Sequence, residues 1–565
     1  MGALSLSSIC HLLVLILLSI FSTGYHSLKP ADSINNGFSI EEATVDDIQL
    51  AFRHNKLTSR QLVQFYIDRI QRLNPVLHGV IEVNPDAGAL ADKADHERKV
   101  KAPISFSKLH GIPVLVKDNI ATKDKMNTTA GSLALLGSVV PRDAGVVAKL
   151  KKAGAIILGK ASLTEWSAFR GNAPDGWSAR GGQGVNPYYK MGFRSPCGSS
   201  SGSSISAAAN LATVTLGTET AGSIICPSSL NSVVGIKPTI GLTSRAGVVP
   251  ISHRQDTVGP ICRTVSDATY VLDVIAGVDK NDKTTIEKSK YIPKGGYAQF
   301  LRSNGLKGKR LGIVRHPYFE FNISKEIDTF LHNTFEQHLN TLRKNGAIVI
   351  DNLNITNIDE IMNDVSSENT ALIAEFKIDL NAYLKELVSS PVRSIADVIA
   401  FNKKNSKLEK IKEYGQELLI AAEATNGIRK AEKAALATLA RQTRNGFVKL
   451  MREYKLDALV ASGGSAFPYE NVDKILAIGG FPGITVPAGY GKREPFGIFL
   501  GGLRGSEPKL IEIAYGFEQA TKIRKPPKLL ELDQATTTSF GKKNELFYYL
   551  YLIFAKQVLF LSYQF

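Results

Sequence analysis

Two Ser/Gly-dense clusters carry the chemistry of this 565-residue chain: Cys197–Ser204 and Gly217–Ser223. Small residues let a backbone fold tightly and let its N–H groups approach a ligand. Hydroxyls in such a setting are candidate nucleophiles or proton carriers. The run between the clusters, Ile205–Leu216, is small and apolar and reads as a buried helix. Strand-like Val233–Ile236 follows. A flexible Gly/Ser linker would have no such apolar middle.

A third group lies upstream, in Gly111-Ile-Pro-Val-Leu-Val-Lys117-Asp118-Asn119. Gly111–Val116 reads as a buried strand, with Lys117 at its end. Lost hydration favours the neutral amine and lowers its pKa, and only the neutral amine can take a proton. Alone, a Val-Lys pair reads as a strand capped at the surface. The serine clusters downstream turn the reading toward catalysis.

This arrangement resembles the amidase signature family of serine amide hydrolases. The family places one serine in a GSS-type cluster and a second in a G-T-[DE]-x-[GA]-G-S-I turn. Here these are Ser199 and Ser223, with the family's separation, and Lys117 completes the triad. The likeness runs from about residue 40 to 528. It implies an α/β fold, a three-layer α/β/α domain built on a large mixed sheet, and hydrolysis of small-molecule or peptide amides without metal or cofactor. It also implies a cis peptide bond at the relay serine.

Amides are poor electrophiles. Cleaving one takes an activated nucleophile, donors for the oxyanion and a proton for the leaving amine. Ser223 is the better nucleophile, because it ends a turn of small residues. The backbone of Thr220, Ala221, Gly222 and Ser223 is the candidate oxyanion hole. Ser199 would relay protons between Ser223 and Lys117. Gly198-Ser-Ser200-Ser-Gly202 also matches the G-x-S-x-G elbow, which would nominate Ser200 with His253. That reading needs an Asp between them, and Glu219 is the only acid there. Two departures from the family stand out. Ile225 sits where arginine is frequent, and Ala221 sits where the similar peptide-amidase-like subgroup of bacteria and plants has Asp. These departures and the N-terminal segment argue against an amidotransferase A subunit acting on charged tRNA.

The elements that must position these groups alternate as in α/β proteins. Residues 38–75 read as helical, with Thr44 and Ser59 as candidate caps. Helix 144–152 precedes strand 153–158. Trp166 and Trp177, the only tryptophans, suggest either a pocket wall or buried turn packing. After an exposed connection over 280–308, residues 310–350 read as strand–helix–strand. Residues 366–452 read as mostly helical; in the family this variable part lines the acyl pocket. Strands at 457–461, 483–486 and 495–500 and a helix at 507–521 close the domain.

Composition is that of a globular protein: 44% of residues are hydrophobic, and the net charge of +16 is scattered rather than blocked. No nucleic-acid motif appears. Residues 1–24 lack Lys, Arg, Asp and Glu and contain the apolar run Leu12–Phe21. They read as a secretory signal peptide, with an uncleaved anchor as the competing reading. The expected product is extracellular, vacuolar or resident in the endoplasmic reticulum. The domain then spans 25–530. Residues 531–565 form an atypical hydrophobic tail, read as an altered end of the gene model, a docked helix or a membrane-associated helix. Of four cysteines, Cys10 would leave with the signal. Cys197, Cys226 and Cys262 read as packing residues, not as a disulfide framework. Sequons stand at Asn127, Asn322 and Asn354. Two further readings compete with a soluble amidase: a non-catalytic binding protein on the same scaffold, and a membrane-associated lipid-amide hydrolase. Nothing in the residues indicates the acyl group or the oligomeric state.

Overall fold

Long runs of uninterrupted burial fix the architecture. Strands β2 (Pro113–Lys117), β3 (Ile156–Ala161), β6 (Val214–Glu219), β7 (Val234–Lys237), β8 (Thr257–Cys262) and β13 (Pro495–Gly501) are buried at every position. A strand buried at both odd and even positions must be covered on both faces. With β1 (Val80–Val83), β9 (Arg310–Val314), β10 (Ile348–Leu353), β11 (Ala458–Gly463) and β12 (Gly483–Tyr490), they form one mixed eleven-stranded sheet. Its order is β1-β3-β2-β6-β8-β7-β12-β13-β11-β9-β10. The α/β/α layering expected from the family follows. A small hairpin, β4 (Trp177–Ser178) with β5 (Gly182–Gln183), stands outside the sheet. The computed structural model describes residues 38–100, 106–188, 195–319, 325–463, 472–491 and 494–529. The signal-peptide and tail readings and the Asn322 sequon lie outside these. Among the described residues, no helix is long and apolar enough to cross a membrane.

Local sequence explains most elements. Helix Val45–Arg53 begins at the predicted Thr44 cap. Helix Ser59–Leu77 is capped by Thr58, not Ser59, because Thr58 and Gln61 form a reciprocal capping box. The apolar stretch 205–216 is not one helix. Helix Ser201–Ala208 ends, Asn210 takes a left-handed φ of 56°, and β6 begins at Val214. Gly202 allows the start of that helix to press against the backbone just before β1 and just after β3: a Cβ there would come within 2.3 Å of the Ser162 nitrogen and 2.5 Å of the Gly79 oxygen.

The 366–452 region is helical as expected, including Val365–Glu386, Ile395–Lys404 and Lys430–Thr443. It is tied to the core by a buried ionic cluster. Arg170 Nη1 lies 2.5 Å from Glu165 Oε1 and 3.3 Å from Glu409 Oε2, with all three side chains closed to solvent. Burial and the neighbouring Glu409 hold the Glu165 carboxyl well above its ordinary range. Trp177 packs edge-on to Tyr414, with ring centres 4.7 Å apart, which favours the turn-packing reading for that tryptophan.

Candidate active site

Three parallel strands, β3, β2 and β6, set the register of the site. Val116 pairs with Leu216, so Lys117 leaves the sheet beside Gly217 and Thr218. The amine lands among oxygen atoms. Lys117 Nζ is 2.8 Å from Ser199 Oγ, 2.9 Å from Thr218 Oγ1 and 3.3 Å from the Thr218 carbonyl oxygen. Lys117 and Ser199 are fully buried. Burial pushes the lysine down to about 7, against the pull of the Asp256 and Glu219 carboxylates. A buried lysine with no carboxylate in contact is poised between charged and neutral forms at physiological pH.

Ser199 follows a cis peptide bond from Gly198. Its carbonyl accepts from the Thr164 N–H at 3.0 Å. The Ser200 N–H donates to the Ser223 carbonyl at 3.0 Å, so the two clusters meet at the backbone. Ser223 is 8% exposed while Lys117 and Ser199 are at 0%, so of the three only Ser223 is within reach of a substrate.

The turn before Ser223 is shaped from its two ends. Gly222 has φ of 76°, the left-handed region open to glycine. The buried Glu219 accepts from the N–H groups of Ile224 at 2.7 Å and Ile225 at 3.0 Å, bridging the end of β6 to helix Ile225–Leu230. The N–H groups of Ala221, Gly222 and Ser223 have no acceptor among the described residues. Unpaired consecutive donors beside a reachable hydroxyl suit a developing oxyanion. The Ala221 side chain is exposed on this turn, and Ile225 is buried.

Ser200 does not serve as an elbow nucleophile. Its hydroxyl donates to the Thr218 carbonyl at 3.0 Å and accepts from the Thr218 N–H at 3.2 Å. His253 is half exposed and pairs with Asp379 at 2.9 Å. The reading of Cys197 and Cys226 as separate packing residues is overturned: they form a disulfide with Cα atoms 5.9 Å apart. The odd cysteine count hid it, because the bridge needs only two of the three, and Cys262 stays free and buried. The bridge joins the segments that carry the two serines.

Residues to which the sequence assigned no role complete the site. Thr218 Oγ1 accepts from Asn119 Nδ2 at 3.0 Å as well as from Lys117. Asp256 accepts from the Thr220 hydroxyl at 2.6 Å. Asn119 and Thr218 lie within the motifs already singled out, so they were there to be found. Asp256 carried no local signal.

Comparison with known proteins places these features in context. The Amidase family pattern matches residues 61–510. A probable amidase of Arabidopsis thaliana is 58% identical over 88% of this chain and 93% of its own length. The native peptide amidase of Stenotrophomonas maltophilia superposes with a TM-score of 0.78 at 42% identity, covering 86% of this chain and 98% of that one. A peptide amidase in complex with the competitive inhibitor chymostatin gives a TM-score of 0.79 at 42% identity over 86% and 99% of the two chains.

Proposed function

The chain belongs to the amidase family and is an amide hydrolase, and from that premise we propose that it cleaves a carboxamide to an acid plus ammonia or an amine through an acyl-enzyme on Ser223. The supporting observation is the 2.8 Å separation of Lys117 Nζ and Ser199 Oγ in a site closed to solvent. A neutral amine has two N–H donors and one lone pair. The Thr218 carbonyl can only accept, and Thr218 Oγ1 is placed to accept the second N–H. The lone pair is then left for the Ser199 hydroxyl.

In the proposed sequence, Ser199 gives its proton to Lys117 and takes one from Ser223. The Ser223 oxygen bonds to the amide carbon, and the negative charge on the carbonyl oxygen meets the N–H groups of the Thr220–Ser223 turn. The proton returns from Lys117 through Ser199 to the nitrogen as the C–N bond breaks. Water then enters by the same base route, displaces Ser223 and releases the acid. One oxyanion donor of this kind is worth about 10²–10³ in kcat.

Peptide amides head the substrate panel, because two of the compared structures are peptide amidases. Purified protein should release ammonia from members of a carboxamide panel, and Ser223→Ala should not. A folded wild-type protein that turns over no amide and takes no fluorophosphonate label would refute the mechanism.

The same reading extends to secretion. A disulfide persists in oxidising compartments, and the Asn354 sequon sits at an exposed position. At the Asn127 sequon, by contrast, Nδ2, the atom that would carry the glycan, donates to the Glu82 carboxylate at 3.4 Å, and the side-chain oxygen accepts from the Gly137 N–H at 3.0 Å. Protein recovered from the source tissue should begin near residue 25 and lose mass at Asn354 on deglycosylation. An intact Met1 with no glycan would contradict this routing.

A further inference from the structure

Behind the turn that carries Ser223 stands the loop 251–256. Two adjacent residues of this loop grip Thr220, the first residue of the turn. Asp256 Oδ1 accepts from the Thr220 hydroxyl at 2.6 Å, and Gln255 Nε2 donates to the Thr220 carbonyl at 3.4 Å. The other oxygen of Asp256 accepts from the N–H groups of Ile251 at 2.8 Å and Ser252 at 3.0 Å. Asp256 and Gln255 are both buried.

The loop is itself clamped. Helix Val365–Glu386 presents Glu368, Glu375 and Asp379, seven and four residues apart and therefore on one face. Glu375 accepts from the Ser252 hydroxyl at 2.7 Å and from Arg254 at 2.8 and 3.0 Å. Asp379 accepts from the His253 N–H at 2.8 Å, and Glu368 accepts from Gln255 Nε2 at 3.0 Å. One helix thus holds a loop, and the loop holds Thr220.

We propose that Asp256 is a positioning residue for hydrolysis, acting through the Thr220 hydroxyl to hold the Thr220–Ser223 turn in the shape that leaves its N–H groups open to the substrate oxygen. This role rests on the hydrolase reading above and adds to it the part that shapes the oxyanion donors. Preorganised donors work because they need not move when charge develops, so a group that fixes the turn acts on kcat rather than on substrate affinity. Asp256 also acts on Lys117 at a distance. Its carboxylate and that of Glu219 favour the charged amine against burial. The other charged groups around Asp256 are His253, paired with Asp379, Arg254, paired with Glu375, Arg245, which donates to the His253 carbonyl, and Glu368 beyond Gln255.

The test measures kcat, KM and the pH profile of kcat/KM on a responsive amide for four proteins: wild type, Asp256→Asn, Thr220→Val and the double variant. Asn keeps an acceptor for the loop N–H groups while removing the charge. Thr220→Val breaks the same contact from the other side and leaves the loop untouched. Asp256→Asn should lower kcat about 10–100-fold with KM within about threefold, as expected for disturbed rather than deleted oxyanion donors. Its acidic limb should move to lower pH, since loss of the anion makes Lys117 easier to deprotonate; Thr220→Val should not move it. The double variant should lose no more kcat than the more impaired single variant, because both changes break one contact. Additive losses would overturn the role, as would an unchanged kcat in Asp256→Asn with an active wild type. Inactivity of the wild type toward every amide would instead overturn the hydrolase reading on which it rests.

Discussion

The Ser200 N–H donates to the Ser223 carbonyl at 3.0 Å, which makes the two serine clusters one joined unit. The Cys197–Cys226 bridge spans the same joint from the outer side, two residues before Ser199 and three after Ser223. Ser199 and Ser223, the proposed relay and nucleophile, are therefore held together by both a backbone and a covalent tie between their segments.

Reduction of the bridge should cost stability and catalysis together. Closing a loop with a sequence separation of 29 removes unfolded-state entropy worth about 3–4 kcal/mol in the chain-entropy model. The paired variant Cys197→Ser/Cys226→Ser should unfold at lower denaturant and show reduced kcat. Equal denaturation midpoints with and without reductant would contradict this.

Lys117→Met keeps the volume of the buried side chain and removes the proposed base. It should lower kcat/KM by at least about 10²–10⁴, the range of general-base contributions. In the wild type, the neutral amine accumulates as pH rises through about 7. The kcat/KM profile should therefore climb through that pH and level off above it.

Stability should fall as pH rises from about 4 to 7. Burial raises Asp256 and Asp267 to about 6 and Glu518 to about 7, from ordinary values of 3.8 and 4.5. Between those limits the folded chain holds protons that the unfolded chain has released. The contribution is complete below the unfolded values and is lost as pH passes the folded ones. Urea midpoints at pH 4.5 and 7.5 measure it, and a higher midpoint at pH 7.5 would reverse the sign.

Arg170→Met should destabilise the helical region more than any surface change. It leaves Glu165 and Glu409 buried without their cation, a loss of about 3–5 kcal/mol. Proteolysis within 395–443 should then outpace cleavage of the sheet. An unchanged protease pattern would show that the cluster does not anchor this layer.

What could be read from the residues alone was what local sequence encodes. Lys117 ends a β-branched strand, the serines sit in dense small-residue clusters, and the helices of 366–452 fall in a charged stretch with few sharp breakers. What escaped depends on contacts between distant segments. Asp256 meets Thr220 across 36 positions, and Arg170 meets Glu409 across 239. Neither pairing leaves a periodic trace. The single helix expected at 205–216 failed because a buried helix and a buried strand are alike in being apolar throughout, and only the left-handed turn at Asn210 divides them. The disulfide was missed because a cysteine count does not reveal which two of three residues meet.

Covalent labelling can decide whether a neutral Lys117 activates Ser223 through Ser199, as proposed. Wild type and Lys117→Met would be treated with a fluorophosphonate across pH 5–9 and the modified peptide sequenced by mass spectrometry. The adduct should map to Ser223, form faster as pH rises through about 7, and form far more slowly without the lysine. An adduct on Ser200, or labelling of Ser223 that is indifferent to both pH and Lys117, would contradict the account.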